Sequence, residues 1–136
     1  MRKSIFSVLV VTATLVGFGC ARPNRITAFK SPTDGVFFTV ETYYGHGPLS
    51  SDITRVYAHF ERNGKATKVL ILDGDNLTVT NVIWKGPRED TLCLNGGTTS
   101  TFHNQVTLIL GDSPDKSETI HSYIQEYCPR TGSPSG

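Results

Sequence analysis

Residues 54–72 read TRVYAHFERNGKATKVLIL. Val56, Ala58 and Phe60 alternate with Arg55, Tyr57, His59 and Glu61, the two-residue period of a strand with one buried face. Asn63-Gly64 follows. Both residue types tolerate positive φ, and this dipeptide between apolar runs closes a two-residue β-hairpin. Lys68 to Leu72 is the returning strand. The stretch therefore predicts antiparallel β structure.

The pattern continues in both directions. Upstream, Val36 to Tyr44 is rich in β-branched and aromatic residues, with Phe38, Val40, Thr42 and Tyr44 on one face and Phe37, Thr39, Glu41 and Tyr43 on the other. Arg22 to Asp34 reads as a tether and first strand, ended by Ser31-Pro32-Thr33-Asp34-Gly35. Downstream, Asp73-Gly74-Asp75-Asn76 reads as a turn. Leu77 to Trp84 carries Leu77, Val79 and Ile83 on one face and Val82 and Trp84 on the other, which predicts a central strand. Gly86 to Asp90 turns into a short strand, Thr91 to Leu94, so that 63–94 forms a meander. Asn95 to Thr101 reads as a flexible connection, and Phe102 to Leu110 as one long strand.

The C-terminal segment has two readings. Ser113 as cap, Pro114 at the first position and Asp115 in the first turn favour a helix with Ile120, Tyr123, Ile124 and Tyr127 on one face. A strand from Thr119 to Tyr127 is the rival. Residues 129–136 read as a frayed tail. The expected fold is mainly β: an antiparallel meander forming a twisted sheet, small sandwich or partial barrel, with or without one C-terminal helix. The chain has 136 residues, 38% hydrophobic and 18% charged, which fits a single globular domain over 22–128. Thirteen glycines and seven prolines suit its many turns.

The first 21 residues are organised differently. Met1-Arg2-Lys3 is positive, Ile5 to Phe18 is almost unbroken apolar or small, and Gly19-Cys20-Ala21 precedes the polar Arg22-Pro23-Asn24. This is the layout of a secretory signal, and the apolar run is shorter than the ~20 residues of a spanning helix. With Gly19 before Cys20, the segment resembles a bacterial lipoprotein signal. It departs from that pattern at Gly17, where leucine is usual, and at Phe18, where a small residue is usual. The resemblance implies cleavage before Cys20, acylation of Cys20 and attachment to the cell envelope through a lipid anchor. Ala21, not aspartate, favours the outer membrane. Plain cleavage after Ala21, giving a periplasmic or secreted protein, is the alternative.

Three cysteines resolve into one pair, Cys93 and Cys128, if Cys20 is acylated or removed. Export places that pair in an oxidising compartment, so a disulfide is expected, contributing about 3–4 kcal/mol. A metal site would need Cys-x-x-Cys spacing or nearby histidines, and neither cysteine has them.

Chemistry-bearing motifs are sparse. His46, His59, His103 and His121 are isolated in sequence, without metal-ligand spacing. Asp73-Gly74-Asp75-Asn76 opens like a calcium loop, but Trp84 stands where the closing glutamate belongs. Gly96-Gly97-Thr98-Thr99-Ser100-Thr101 lacks a phosphate-loop ending, and no Gly-x-Ser-x-Gly elbow is present. Loss of Arg2 and Lys3 takes the net charge from +1 to −1, with no basic block left, which argues against nucleic acid as a partner. No cofactor and no metal are expected.

Tyr43, Tyr44, His46, Tyr57 and His59 lie on or beside two neighbouring strands, with Arg55 and Arg62 nearby. They form a candidate protein-binding surface, and Thr98 and Thr99 in the Gly96–Thr101 loop form a second. The first functional expectation is a non-enzymatic envelope lipoprotein that presents a binding surface to a periplasmic partner. The alternative is a small envelope ligand-binding protein or hydrolase using Gly96–Thr101, including Ser100, together with His103.

Overall fold

The computed structural model describes residues 22–109 and 117–128. Residues 1–21, read above as a signal segment with Cys20, the expected cap at Ser113-Pro114-Asp115 and residues 129–136, read as a tail, lie outside the described residues. Nine strands are present among them: β1 Arg25–Lys30, β2 Val36–Tyr43, β3 Ile53–Arg62, β4 Lys65–Asp75, β5 Thr78–Trp84, β6 Glu89–Asn95, β7 Thr98–Phe102, β8 Gln105–Ile109 and β9 Ser117–Glu126. They form a five-stranded sheet in the order β1-β2-β3-β4-β7 and a four-stranded sheet in the order β5-β6-β9-β8. The two sheets share one apolar interior, as in a sandwich.

Alternation builds that interior. Phe38 and Val40 on β2 and Val56, Ala58 and Phe60 on β3 point inward and are buried. The second sheet returns Val82, Leu92, Leu94, Val106 and Ile120. Phe38 meets the edge of Trp84 across the sheets at 5.2 Å between ring centroids. Burying each large side chain contributes about 1.5–3 kcal/mol. At one end of the sandwich Arg62 clamps the sheets together, donating from Nε and Nη2 to the two carboxylate oxygens of Glu118 at 2.9 Å each. Arg62 is thereby turned away from the tyrosine cluster beside which its position in the sequence puts it.

The β3–β4 hairpin forms at Asn63-Gly64, with φ of 53° and 74°. Its two-residue loop sets the register: Arg62 faces Lys65, His59 faces Lys68 and Tyr57 faces Leu70. Beyond this hairpin the chain departs from a simple meander. Strand β4 runs through Asp73, Gly74 and Asp75, so the turn lies at Asn76 rather than across 73–76. There the chain leaves the first sheet, and Thr54 Oγ1 donates to Leu77 O at 2.6 Å to hold the crossing. Gly74 permits it, because a Cβ would approach Thr98 O to 2.6 Å.

Strand β5 is an edge of the second sheet, not a central strand. A bulge between Val79 and Asn81 changes its alternation, bringing Val79, Val82 and Trp84 all towards the core. Residues 98–102 are not a flexible connection but an edge strand on β4. The expected single strand over 102–110 is broken at His103–Asn104: β7 ends in the first sheet and β8 begins in the second.

The favoured C-terminal helix is corrected to a strand, β9. It lies between β6 and β8 and pairs parallel with β6, where hairpin-like turns had predicted only antiparallel neighbours. The helical face would have needed Ile120, Tyr123, Ile124 and Tyr127 to be buried together. Instead Tyr123, Ile124 and Tyr127 are 51%, 43% and 82% exposed. Strand alternation places Ile120 and Ser122 inside, and pairing on both sides satisfies the backbone. Cys93 and Cys128 form the expected disulfide, with Cα atoms 5.7 Å apart. It fastens the end of β9 to β6.

One inward row is polar. Asp90 pairs in register with Trp84 on one side and Ser122 on the other. Asp90 is fully buried, and Ser122 Oγ donates to its Oδ2 at 2.9 Å. Among the described residues, neither Asp90 Oδ1 nor Trp84 Nε1 has a hydrogen-bond partner. Burial pushes the Asp90 carboxyl up to about 7, aided by Glu89 and opposed by the Ser122 hydrogen bond.

Two stability predictions follow from this interior. The Cys93–Cys128 bridge spans 35 residues, so Cys128→Ser is expected to lower unfolding free energy by about 4 kcal/mol in urea titrations. Asp90 releases its proton near 3.8 when unfolded and near 7 when folded, so the folded state holds more protons between those values. Stability should therefore fall as pH rises from about 4 to about 7, and level off above. Asp90→Asn should remove that fall and add roughly 2–4 kcal/mol at pH 8, with little change at pH 4. Denaturation at the two pH values measures it.

Candidate functional site

The solvent face of the five-stranded sheet is unusual in its order. Successive rows run across the strands in register: Lys30, Phe37, His59 and Lys68; then Ala28, Thr39, Tyr57 and Leu70; then Ile26, Glu41, Arg55 and Asp73. A bulge between Val56 and Tyr57, with Ile71 as the extra residue opposite, aligns Arg55 with Asp73.

The side chains in these rows hold one another. Phe37 and His59 stack with ring centroids 4.5 Å apart and planes 4° from parallel. His59 Nε2 shares a 2.7 Å hydrogen bond with Thr39 Oγ1. Lys68 Nζ lies 4.0 Å above the centre of the Tyr57 ring and 2.7 Å from Glu41 Oε2. Tyr43 donates its hydroxyl to Glu41 Oε1 at 3.1 Å. The Arg55 guanidinium sits over the Tyr43 ring at 5.3 Å and faces Asp73 at 3.7 Å. Glu41 is only 5% exposed although it points away from the core, because this lattice covers it.

The electrostatics follow from the packing. The hydrogen bond to Glu41 holds the Lys68 ammonium above its ordinary range, against desolvation. Burial raises the Tyr43 phenol, and Glu41 raises it further. Burial lowers His59, and the Lys68 charge adds to that, while Glu41 and Glu61 oppose it. The His59 ring, beside a cation and a buried carboxylate, is thereby biased towards its uncharged form. Chemically this is a rigid array of aromatic faces with fixed charges, suited to recognition rather than proton transfer.

The expected surface residues divide among four places. Tyr43, Tyr57 and His59 share this face. Tyr44 points the other way and lines a groove of about 380 Å³ between β1 and β5. His46 is exposed in the β2–β3 loop, where its carbonyl accepts from Ser50 Oγ. Thr98 and Thr99 are exposed on the edge strand β7, opposite Asp75 and Gly74.

The residues of the alternative reading lie along β7 and its two ends. Gly96 and Gly97 form the turn into β7, with φ near 68°, and a Cβ on Gly97 would meet Asn76 O at 2.6 Å. Ser100 is exposed on β7, and His103 is exposed after it, its backbone N–H donating to Ile71 O at 2.8 Å. No side-chain hydrogen bond joins the two among the described residues. No three His, Cys, Asp or Glu side chains gather as metal ligands among the described residues.

Lys68 and Asp73 were missed as site residues from sequence. The hairpin loop offered the signal for Lys68: a two-residue turn at 63–64 places residue 68 opposite residue 59. Nothing local announces the bulge that brings Asp73 to Arg55.

The lattice predicts its own titration. The His59 ring should titrate below its ordinary 6.5, and Lys68→Ala should raise it by removing the neighbouring charge. Proton NMR of the His59 ring against pH measures both.

No protein-family model matches the chain, and comparison with curated proteins and with solved structures finds no similar one.

Proposed function

We propose that this chain is a non-enzymatic, exported cell-envelope lipoprotein that presents the solvent face of its five-stranded sheet to a periplasmic protein. The single observation that carries the binding role is the locked array of Phe37, Tyr43, Tyr57, His59, Arg55 and Lys68. Half-buried aromatic and Arg side chains held in fixed geometry lose little entropy on binding, which is the character of interface hot spots. Loops rather than strands usually carry binding residues, but here the strands supply the most preorganised surface.

The envelope address draws its support from the N-terminal charge, apolar run and Gly19-Cys20. The Cys93–Cys128 disulfide agrees with it, since such bonds persist in oxidising compartments. The absence of a local catalytic motif, and of a side-chain hydrogen bond between Ser100 and His103 among the described residues, leaves the hydrolase alternative without a supporting observation.

Two measurements test the reading. The intact mass of the protein from native membranes should show loss of the first nineteen residues and an acylated Cys20; an unprocessed chain rejects the envelope role. A photo-crosslinking residue at Tyr57 should trap a stoichiometric partner that one at Thr107, on the opposite sheet's outer face, does not. Tyr57→Ala should then weaken that partner's affinity by about 30-fold, the ~2 kcal/mol of a hot spot. Equal trapping at both positions rejects the surface.

A further inference from the structure

We infer that the end of the sandwich carrying Tyr44, Leu49 and Tyr127 rests on the phospholipid surface, so that the protein stands end-on beneath its anchor. This inference takes its orientation from the lipoprotein reading above.

The argument starts from where the chain enters the fold. Asn24 is fixed at the end of β2: its N–H donates to Thr42 O at 2.8 Å, and its Oδ1 accepts from the Tyr44 N–H at 2.8 Å. Only four residues, 21–24, separate Cys20 from Arg25, the first residue of β1. Fully extended, that link spans at most about 18 Å. An acyl group on Cys20 would thus hold this end within about 18 Å of the bilayer surface.

The same end gathers exposed apolar side chains. Register places Asn24, the β2–β3 loop, the Asn76 turn, the Gly96-Gly97 turn and the end of β9 together: Tyr43, Ile53, Asp75 and Thr98 are successive neighbours, and Thr78, Asn95, Leu94 and Glu126 continue in the second sheet. Leu49 is 99% exposed, and Tyr44 and Tyr127 are also exposed here. Ile26 and Ile124 lie within two residues of this end, so it holds five of the seven large exposed apolar side chains among the described residues. Residues 44–51 contain no Asp, Glu, Lys or Arg, and Asp52 is engaged by the Gly45 N–H at 2.9 Å.

A soluble loop gains nothing from a fully exposed leucine, whereas a loop held at an interface buries it. Tyrosines beside it suit the headgroup level. The charges at this end are mixed: Arg22 and Arg25 against Asp52, Asp75 and Glu126. Contact therefore depends on apolar insertion rather than on anionic lipid.

The test uses the processed protein from bacterial membranes, reconstituted into phosphatidylcholine vesicles containing brominated lipid. Leu49→Trp adds a reporter at the proposed contact, and Ile109→Trp adds one at the far end; both sites are exposed, and Trp84 alone is the background. The Leu49→Trp emission should be quenched more than about twofold relative to unbrominated vesicles, a depth of about 5–10 Å, with Ile109→Trp unquenched. An acylated protein whose two reporters are quenched equally overturns the end-on contact and leaves the lipoprotein reading in place. If intact mass shows Cys20 unmodified, the lipoprotein reading falls. The same quenching then decides the contact: selective loss at position 49 sustains it, and no loss overturns it.

Discussion

Everything else in the molecule depends on two sheets turning their apolar faces to each other. Phe38, Phe60 and Val56 on one side and Leu92, Ile120 and Val106 on the other have no alternative partner from which water is excluded. That single interior sets which face of each strand is outer, and hence which side chains are available for anything further. It also decides where the chain must change sheets. At Asn76, at Gly96-Gly97 and at His103–Asn104 the backbone crosses from one layer to the other.

The interior carries a cost as well as a gain. Asp90 occupies an inward position between Trp84 and Ser122, with one carboxyl oxygen unpaired among the described residues. An ionised carboxylate there is expensive, so the fold keeps it protonated into the neutral range. The Cys93–Cys128 bond acts in the opposite sense. It closes a long loop and secures β9, whose parallel pairing with β6 has no short turn to hold it.

On the outer face of the first sheet, packing continues beyond the core. Glu41 and Thr39 face solvent by alternation yet are nearly covered, because Tyr43, Lys68 and His59 lie over them. The face is thus a second, thin layer with its own hydrogen bonds and cation–π contacts. A surface ordered before binding spends less of its interaction energy on ordering, which is why the proposed binding role is placed on this face and not on the exposed Thr98–Thr99 edge.

Much of β2, β3 and β4 was legible in the residues. A two-residue period assigns faces, and the Asn63-Gly64 turn assigns partners, so Tyr57 and His59 sit where their spacing puts them and His59 meets Lys68. The Cys93–Cys128 pair was likewise readable from the number of cysteines and the export expected from the first residues. These are short-range constraints, or constraints of composition, and a chain carries them before it folds. The tertiary structure alone decided the rest: the edge position of β5, the bulges near Val56 and Thr80, the split at 103–104, the strand rather than helix at 117–126, and the burial of Asp90. Ile120, Tyr123 and Ile124 fit a helical face as well as a strand. What separated the two was a vacancy between β6 and β8, whose backbone groups needed hydrogen-bond partners that only a strand can supply.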